Sequence, residues 1–313
     1  MRPDRIILAG GSGFIGRVLS RHFVDRGREV VVLTRNPKPA SNGVREVQWD
    51  GETLGDWAHE LEGATALINL AGVSVNCRYH ERNRRLILDS RINSTRVLGE
   101  AIACCKNPPP VWLNSSTATI YKHNFGPAWD ESGEIGGTPQ AKDEFSVEVA
   151  EAWERAFNEA NTPRTRKAAL RSAMVLGLGS NSVFPTLRNL VRFGLGGKMA
   201  NGDQFVSWIH ETDFCRAIGW LMEHEELSGV FNLAAPNPIT NREMMRTLRA
   251  IYRIPFGMPA ALSMLEAGAF FLRTETELII KSRRVVSRRL PESGFQFRFT
   301  RMEDAFRDLA GRH

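Results

Sequence analysis

Cysteine and tyrosine are scarce in this sequence, with four of the first and three of the second among 313 residues. Cys77, Cys104, Cys105 and Cys215 form no Cys-x-x-Cys pair and have no histidine partners at ligand spacing. That argues against a structural zinc site and a disulfide framework, and it points to a reducing cytoplasm. No charged and apolar leader fits between Met1 and the strand-like run starting at Arg5, so a secretory signal is not expected. The longest apolar stretch, Met258 to Leu272, is interrupted by Glu266 and is shorter than the roughly 18 to 20 residues that cross a bilayer. No membrane span is expected. Glycine (27) and proline (15) are too few for a collagenous or low-complexity chain.

What remains is the composition of a soluble folded protein, 42% hydrophobic and 24% charged, long enough for one large domain or two modest ones. The net charge is +6, carried mostly by arginine, a balance that suits nucleic acid, an anionic substrate or merely an arginine-rich genome. The densest basic run, Lys281 to Arg289, holds five basic residues but no interleaved aromatics. Nucleic acid is therefore not the expected partner.

Residues 5–9 form a short apolar run ending in glycine, residues 13–26 have helical spacing, and residues 29–33 form a second, β-branched run. Further strand-like runs follow at Val44–Val47, Ala66–Leu70, Val111–Asn114 and Ala168–Val175, with helical patterns near 80–104 and 141–160. This alternation predicts an α/β fold, a doubly wound parallel sheet with helices on both faces. Past Gly177 the pattern changes to helices near 183–194 and 211–223, a strand at Val230–Leu233, and several helices over 240–313. Residues 1–176 with 203–235 are expected to form the sheet domain, and 177–202 with 236–313 a smaller, mostly helical ligand domain.

Gly10, Gly11, Ser12, Gly13, Phe14, Ile15 and Gly16 connect the first strand to the first helix. Of the spaced glycines, Gly10 permits a tight turn, Gly13 lets the backbone approach a pyrophosphate, and Gly16 lets the helix pack close to the sheet. The helix N-terminus then offers unpaired N–H groups to the phosphates. With strand, helix and second strand all present, the motif predicts dinucleotide binding. An acidic residue at the end of the second strand bonds the ribose 2′-hydroxyl, whereas an arginine accommodates a 2′-phosphate. This chain has Thr34 and Arg35 there, with Lys38 close behind. NADP(H) is the expected cofactor; the alternative for Arg35 is a solvated loop residue.

The segments GGSGFIG (10–16), INLAG (68–72), DSRI (89–92), FVSWIHETD (205–213) and NLAAPNPITNREMMRTL (232–248) make the chain similar, almost end to end, to an extended short-chain dehydrogenase/reductase. It resembles the NAD-dependent epimerase/dehydratase superfamily, and within it an atypical branch, the SulA-type nucleotide-sugar epimerases. The resemblance implies that Leu70, Ala71 and Gly72 line the cofactor, that Asn93 supports the sheet beside it, and that Ser115 stands on its serine strand. It also brings the backbone of Met174 and Val175 to the nicotinamide carboxamide.

The same resemblance exposes a departure. The superfamily uses a Tyr-x-x-x-Lys pair on one helical face, where the lysine lowers the tyrosine pKa and binds the nicotinamide ribose, with a nearby hydroxyl polarising the substrate. Thr117 in SSTATIY takes the place of that hydroxyl, but Phe145 stands at the tyrosine position and Val149 at the lysine position. No tyrosine is followed four residues later by lysine. Tyr121, beside Lys122, is a candidate substitute acid or else a structural tyrosine at a strand end. Tyr79 with His80 is a second candidate pair, and His210 a packing and capping residue or a catalytic one. Arg78 and Arg171 are either drawn into the cleft at strand ends, which suggests an anionic or sugar-like small molecule as ligand, or hold a surface or salt-bridge role. Two readings follow: an oxidoreductase or epimerase of unusual chemistry, and a non-catalytic NADP(H) sensor of the kind a cell-division association of the family implies.

Overall fold

The computed structural model describes residues 4–179, 181–262 and 277–312. Seven parallel strands form the central sheet: β1 (Arg5–Ala9), β2 (Glu29–Thr34), β3 (Val44–Gln48), β4 (Ala66–Asn69), β5 (Val111–Thr117), β6 (Arg166–Ser172) and, after three strands outside it, β10 (Gly229–Leu233). Their spatial order is β10-β6-β5-β4-β1-β2-β3. The order reverses between β1 and β4, and an open α/β sheet binds its ligand at the strand ends beside such a reversal. Helix α1 (Phe14–Val24) joins β1 to β2, α2 (Glu81–Cys104) joins β4 to β5, and α3 (Glu144–Glu159) joins β5 to β6. The doubly wound parallel sheet expected from the alternating pattern is therefore present.

The inner strands read as nearly continuous apolar runs because both faces are covered. Ile6 and Leu8 face a core shared with Leu19 and Phe23 of α1 and with Phe214 and Ile218 of α5 (Glu211–Glu223). Ile7 and Ala9 point the other way, against Val97, Leu98 and Ile102 of α2. The register of β1 is thereby fixed, since a one-residue slip would exchange the two faces.

The run expected as one strand over Ala168–Val175 is two strands. Ala173 N–H donates to the Leu233 carbonyl at 3.1 Å, its last bond to the main sheet, and Met174 N–H donates to the Ser207 carbonyl at 3.2 Å. Consecutive residues thus change partner, and β7 (Met174–Leu176) pairs with β9 (Trp208–His210). Helix α4 (Val183–Arg192), α6 (Asn241–Ile251) and the C-terminal helix (Met302–Gly311) pack around a separate core that includes Phe184, Met245 and Phe306. β8 (Phe205–Val206) pairs with β11 (Ile239–Thr240), which runs into the capping box of α6.

The basic run after residue 280 is a tie. Lys281 forms a fully buried ion pair with Asp143 and donates to the Thr119 carbonyl at 2.5 Å. Ser282 N–H donates to His123 Nδ1 at 2.8 Å, and Arg284 donates to the Gly126 carbonyl at 2.6 Å. The segment holds the loops that follow β5 and precede α3.

Among the described residues no helix is long and apolar enough to cross a membrane. Of the apolar stretch Met258 to Leu272, residues 263–272 lie outside the described residues.

His210 is a capping and packing residue. Its Nδ1 accepts from Thr212 N–H at 3.1 Å at the start of α5, its ring stacks on Phe299 at 3.9 Å, and its Nε2 lies 3.2 Å from Asp308 Oδ2. Burial pushes its pKa down to about 4, against the raising effect of Asp308. A histidine held neutral in the fold contributes stability that is complete above the ordinary value of about 6.5 and declines as the pH falls through that window. His22, pushed down likewise, adds to the same slope. The thermal midpoint is expected to drop between neutral pH and pH about 4.5, and to drop less in His210→Asn, which keeps the cap. An unchanged pH slope in that variant would contradict this role.

Candidate functional site

The three spaced glycines have different reasons to be glycine. Gly10 has φ +71°, and a Cβ there would sit 2.6 Å from the Ala71 backbone; one at Gly16 would sit 2.0 Å from the Gly11 carbonyl. Packing of the protein on itself demands both. Among the described residues nothing lies within 4 Å of a Cβ built on Gly13, whose conformation is an ordinary extended one. Its bareness serves no internal contact and leaves room for a ligand at the start of α1. The first turn of that helix holds no acidic residue, so the positive field of its N-terminus is not cancelled. The residues present fit a pyrophosphate.

A cavity of about 680 Å³ begins at this loop. It runs from Gly10, Gly13, Phe14, Ile15 and Gly16 across Leu70 and Gly72 to Ser115 and Thr117 at the end of β5. Helix α3 closes its side with Phe145, Val149 and Trp153, four residues apart and on one face. The face that carries tyrosine and lysine in the resembling pattern is thus turned toward the cavity and is apolar at both of those positions, with Ser146 lining the cavity beside them. Thr117 Oγ1 accepts from Thr119 N–H at 3.1 Å, which leaves its own hydroxyl proton for an acceptor in the cavity.

A buried polar relay underlies the floor. Asn69 and Asn114 are register partners on β4 and β5. Asn69 Nδ2 donates to Asn114 Oδ1 at 2.7 Å and to Thr95 Oγ1 at 3.2 Å, its Oδ1 accepts from Ala71 N–H at 3.0 Å, and Trp153 Nε1 donates to Thr95 Oγ1 at 3.0 Å. These bonds fix the Ala71–Gly72 turn against α3.

The other expected residues lie beside the cavity and do not line it. Gly11 is buried beneath the loop, and Ser12 is exposed with its carbonyl held by Arg17 at 2.6 Å. Thr34 is buried at the end of β2, with Arg35 and Lys38 exposed beyond it. Lys38 N–H donates to Glu46 Oε2 at 2.8 Å. Asn93 lies partly buried on α2. The side chains of Met174 and Val175 go into two different cores, while Ser172 and Asn181 reach the cavity from that side.

Two expectations are corrected. Tyr121 does not face the cavity: its ring is 1% exposed, its hydroxyl donates to Asn232 Oδ1 at 2.8 Å, and it accepts from Arg171 Nη1 at 2.9 Å. Burial pushes that phenol up, away from proton transfer. Arg171 is likewise not drawn into the cleft but takes the alternative salt-bridge role, its Nε and Nη2 gripping the two Glu154 oxygens at 2.8 Å each. Lys122 pairs with Glu134.

Sequence reasoning passed over Arg91. It lines the cavity, its Nη1 donates to the carbonyls of Val73 at 3.2 Å and Ile87 at 2.9 Å, and its guanidinium lies 5.1 Å from the Trp153 ring centre. The available signal was the four-residue spacing of Ile87 and Arg91, both of which line the cavity.

Comparison with known proteins agrees with this geometry. The human epimerase family protein SDR39U1 is 28% identical over 310 residues, covering 97% of this chain and 99% of that one. The epimerase family protein YfhF of Bacillus subtilis is 28% identical over 305 residues, covering 97% of each. The crystal structure of human SDR39U1 (isoform 2) with NADPH superposes with a TM-score of 0.86 at 28% identity, covering 99% of this chain and all of that one. UDP-N-acetylglucosamine 4-epimerase from Bacillus cereus shares the fold, with a TM-score of 0.74 at 18% identity over 97% of this chain and 94% of that one. Residues 261–309 match a domain of unknown function (DUF1731). The model of the NAD dependent epimerase/dehydratase family matches residues 6–234, and the chain belongs to that family.

Proposed function

We propose that this protein is an NADP(H)-binding, epimerase-like oxidoreductase acting on a small anionic or sugar-like molecule. The observation that carries the reading is the continuity of one cavity from the glycine loop to the Thr117 hydroxyl. The bound nicotinamide would supply a hydride donor or acceptor. The chain's own residues would do the rest: Gly13 and the start of α1 seat the pyrophosphate, Thr117 directs its hydroxyl proton at a substrate oxygen, and Phe145 and Val149 keep water from the reacting face. Without a positioned acid on α3, turnover is expected to be about 10² to 10⁴ slower than with one. The four free cysteines are in keeping with a reducing cytoplasm.

Exposed Arg35 and Lys38 at the end of β2 support a preference for the 2′-phosphate, as does the presence of NADPH in the human relative's structure. NADPH is expected to bind at least about tenfold more tightly than NADH, with most of that gap erased in Arg35→Ala. Equal affinities in the native protein would remove the claim. The apolar face of α3 also favours a second reading, a non-catalytic NADP(H) sensor. Screening NADPH oxidation against carbonyl compounds and nucleotide sugars separates the two: turnover that Thr117→Ala weakens supports the enzyme, and tight NADPH binding with no turnover supports the sensor.

A further inference from the structure

Among the described residues, those lining the cavity include no aspartate, glutamate, lysine or histidine, and Arg91 is the one permanent charge. Its guanidinium lies over the Trp153 ring on α3. Arg84, two turns earlier on the same face of α2, lies 4.6 Å over the Phe145 ring. Two cations thus lie along the apolar face of α3, one lining the cavity and one exposed beside it.

The hydrogen bonds of Arg91 leave one edge of its guanidinium open. Nη1 alone donates to the carbonyls of Val73 and Ile87. Among the described residues Nε and Nη2 have no partner, and neither atom is sealed from solvent. These two atoms form the fork with which an arginine takes both oxygens of a carboxylate or a phosphate. Arg171 uses that same edge on Glu154, whereas among the described residues no carboxylate meets it on Arg91. Gly72 lets the cation lie against the turn after β4, since a Cβ there would stand 3.0 Å from its central carbon. Burial pushes the guanidinium down to about 10, which leaves it positive at neutral pH. The apolar rings beneath it lower the local dielectric and strengthen any charge pairing made there.

We propose that Arg91 holds the charged group of the cavity's second ligand, and that this ligand is an organic oxyanion, a carboxylate or a phosphate ester, gripped through Nε and Nη2. The proposal deepens the NADP(H)-dependent reading and rests on it. On that reading each charged group of the cofactor is already provided for, the pyrophosphate by Gly13 and the start of α1 and the 2′-phosphate by Arg35 and Lys38. Arg91 is left for the other molecule. The two carbonyls that hold Nη1 fix the fork in advance, so that little ordering is required when the anion arrives. Exposed Arg84 adds positive field along the same wall and favours the approach of an anion.

NADPH titration of the native protein comes first, and its failure would remove the cofactor reading itself. Protein saturated with NADPH is then titrated, by the change in nicotinamide fluorescence, with 2-oxo acids and sugar phosphates and with their uncharged counterparts, 2-oxo amides and free sugars. One charged class should bind about tenfold or more tightly than its neutral counterpart, and which class does so tells a carboxylate from a phosphate. Arg91→Met should erase that preference and leave NADPH affinity unchanged. Arg91→Lys, which keeps the charge and loses the fork, should retain only part of it. Because the readout is a ratio, a general loosening of the cavity, which weakens charged and neutral members alike, does not imitate the result. A native protein with no such preference, or a preference that survives both substitutions, overturns the proposal. So does a loss of NADPH affinity in Arg91→Met, which would assign the cation to the cofactor's own phosphates.

Discussion

Gly13→Val should abolish NADPH binding, weakening it by about 100-fold or more, and leave the fold in place. The asymmetry among the glycines is the reason. A side chain at Gly10 or Gly16 would strike backbone at 2.6 Å or 2.0 Å, so those substitutions damage the apoprotein. At Gly13 a Cβ meets no atom of the described residues within 4 Å, and a valine would fill the volume meant for the pyrophosphate. Circular dichroism of the variant should match the native spectrum while fluorescence titration with NADPH shows no saturation. A folded variant with native affinity would place the phosphates elsewhere.

The second large effect concerns stability. Glu154 on α3 accepts from Arg171 Nε and Nη2 at 2.8 Å and from Ser116 Oγ at 2.6 Å, and Arg171 continues through Tyr121 to Asn232 on β10. Both charged side chains are nearly withdrawn from water, at 6% and 10% exposure. Arg171→Met strands the Glu154 carboxylate in that interior and should cost about 3 to 5 kcal/mol of unfolding free energy. The paired change Arg171→Met with Glu154→Leu should recover most of the loss, because no unpaired charge is then left behind. Urea denaturation measures both. A single variant within about 1 kcal/mol of the native protein would mean that the pair is no better than a surface bridge.

The βαβ opening was legible because its signals are local: an apolar run, spaced glycines, a helical period, and a second β-branched run. The apolar wall was legible in part for a related reason, since Phe145 and Val149 stand four residues apart and must share a face; Trp153, one turn further, joins them in the structure. Tyr121 was misplaced by geometry too short to show in a pattern. The tight turn over Ala118–Ile120 rotates the chain after Thr117, so neighbours in sequence face opposite sides, one into the cavity and one into the core. Arg171 could not be placed because a strand-end arginine can serve either side of the sheet, and Glu154, 17 residues away, decides which. The division of the run at Ala173 depends on β9, some 35 residues later, which no local window contains. Arg91 escaped for the same reason: the carbonyl of Val73, 18 residues earlier, fixes its guanidinium.

The buried tie between Lys281 and Asp143 also bears on the order in which the protein is made. Synthesis delivers the glycine loop, the strand ends and α3 long before residue 281 leaves the ribosome, and domains begin folding from the N-terminal side as they emerge. Until the last tenth or so of the chain arrives, Asp143 at the head of α3 is without its Lys281 partner, and the loops around Thr119 and His123 lack the bonds that segment gives them. A nascent chain stalled short of Lys281 would carry the sequence motif for cofactor binding with one wall of its cavity unsecured, and competence to bind would arrive as one of the final events of translation.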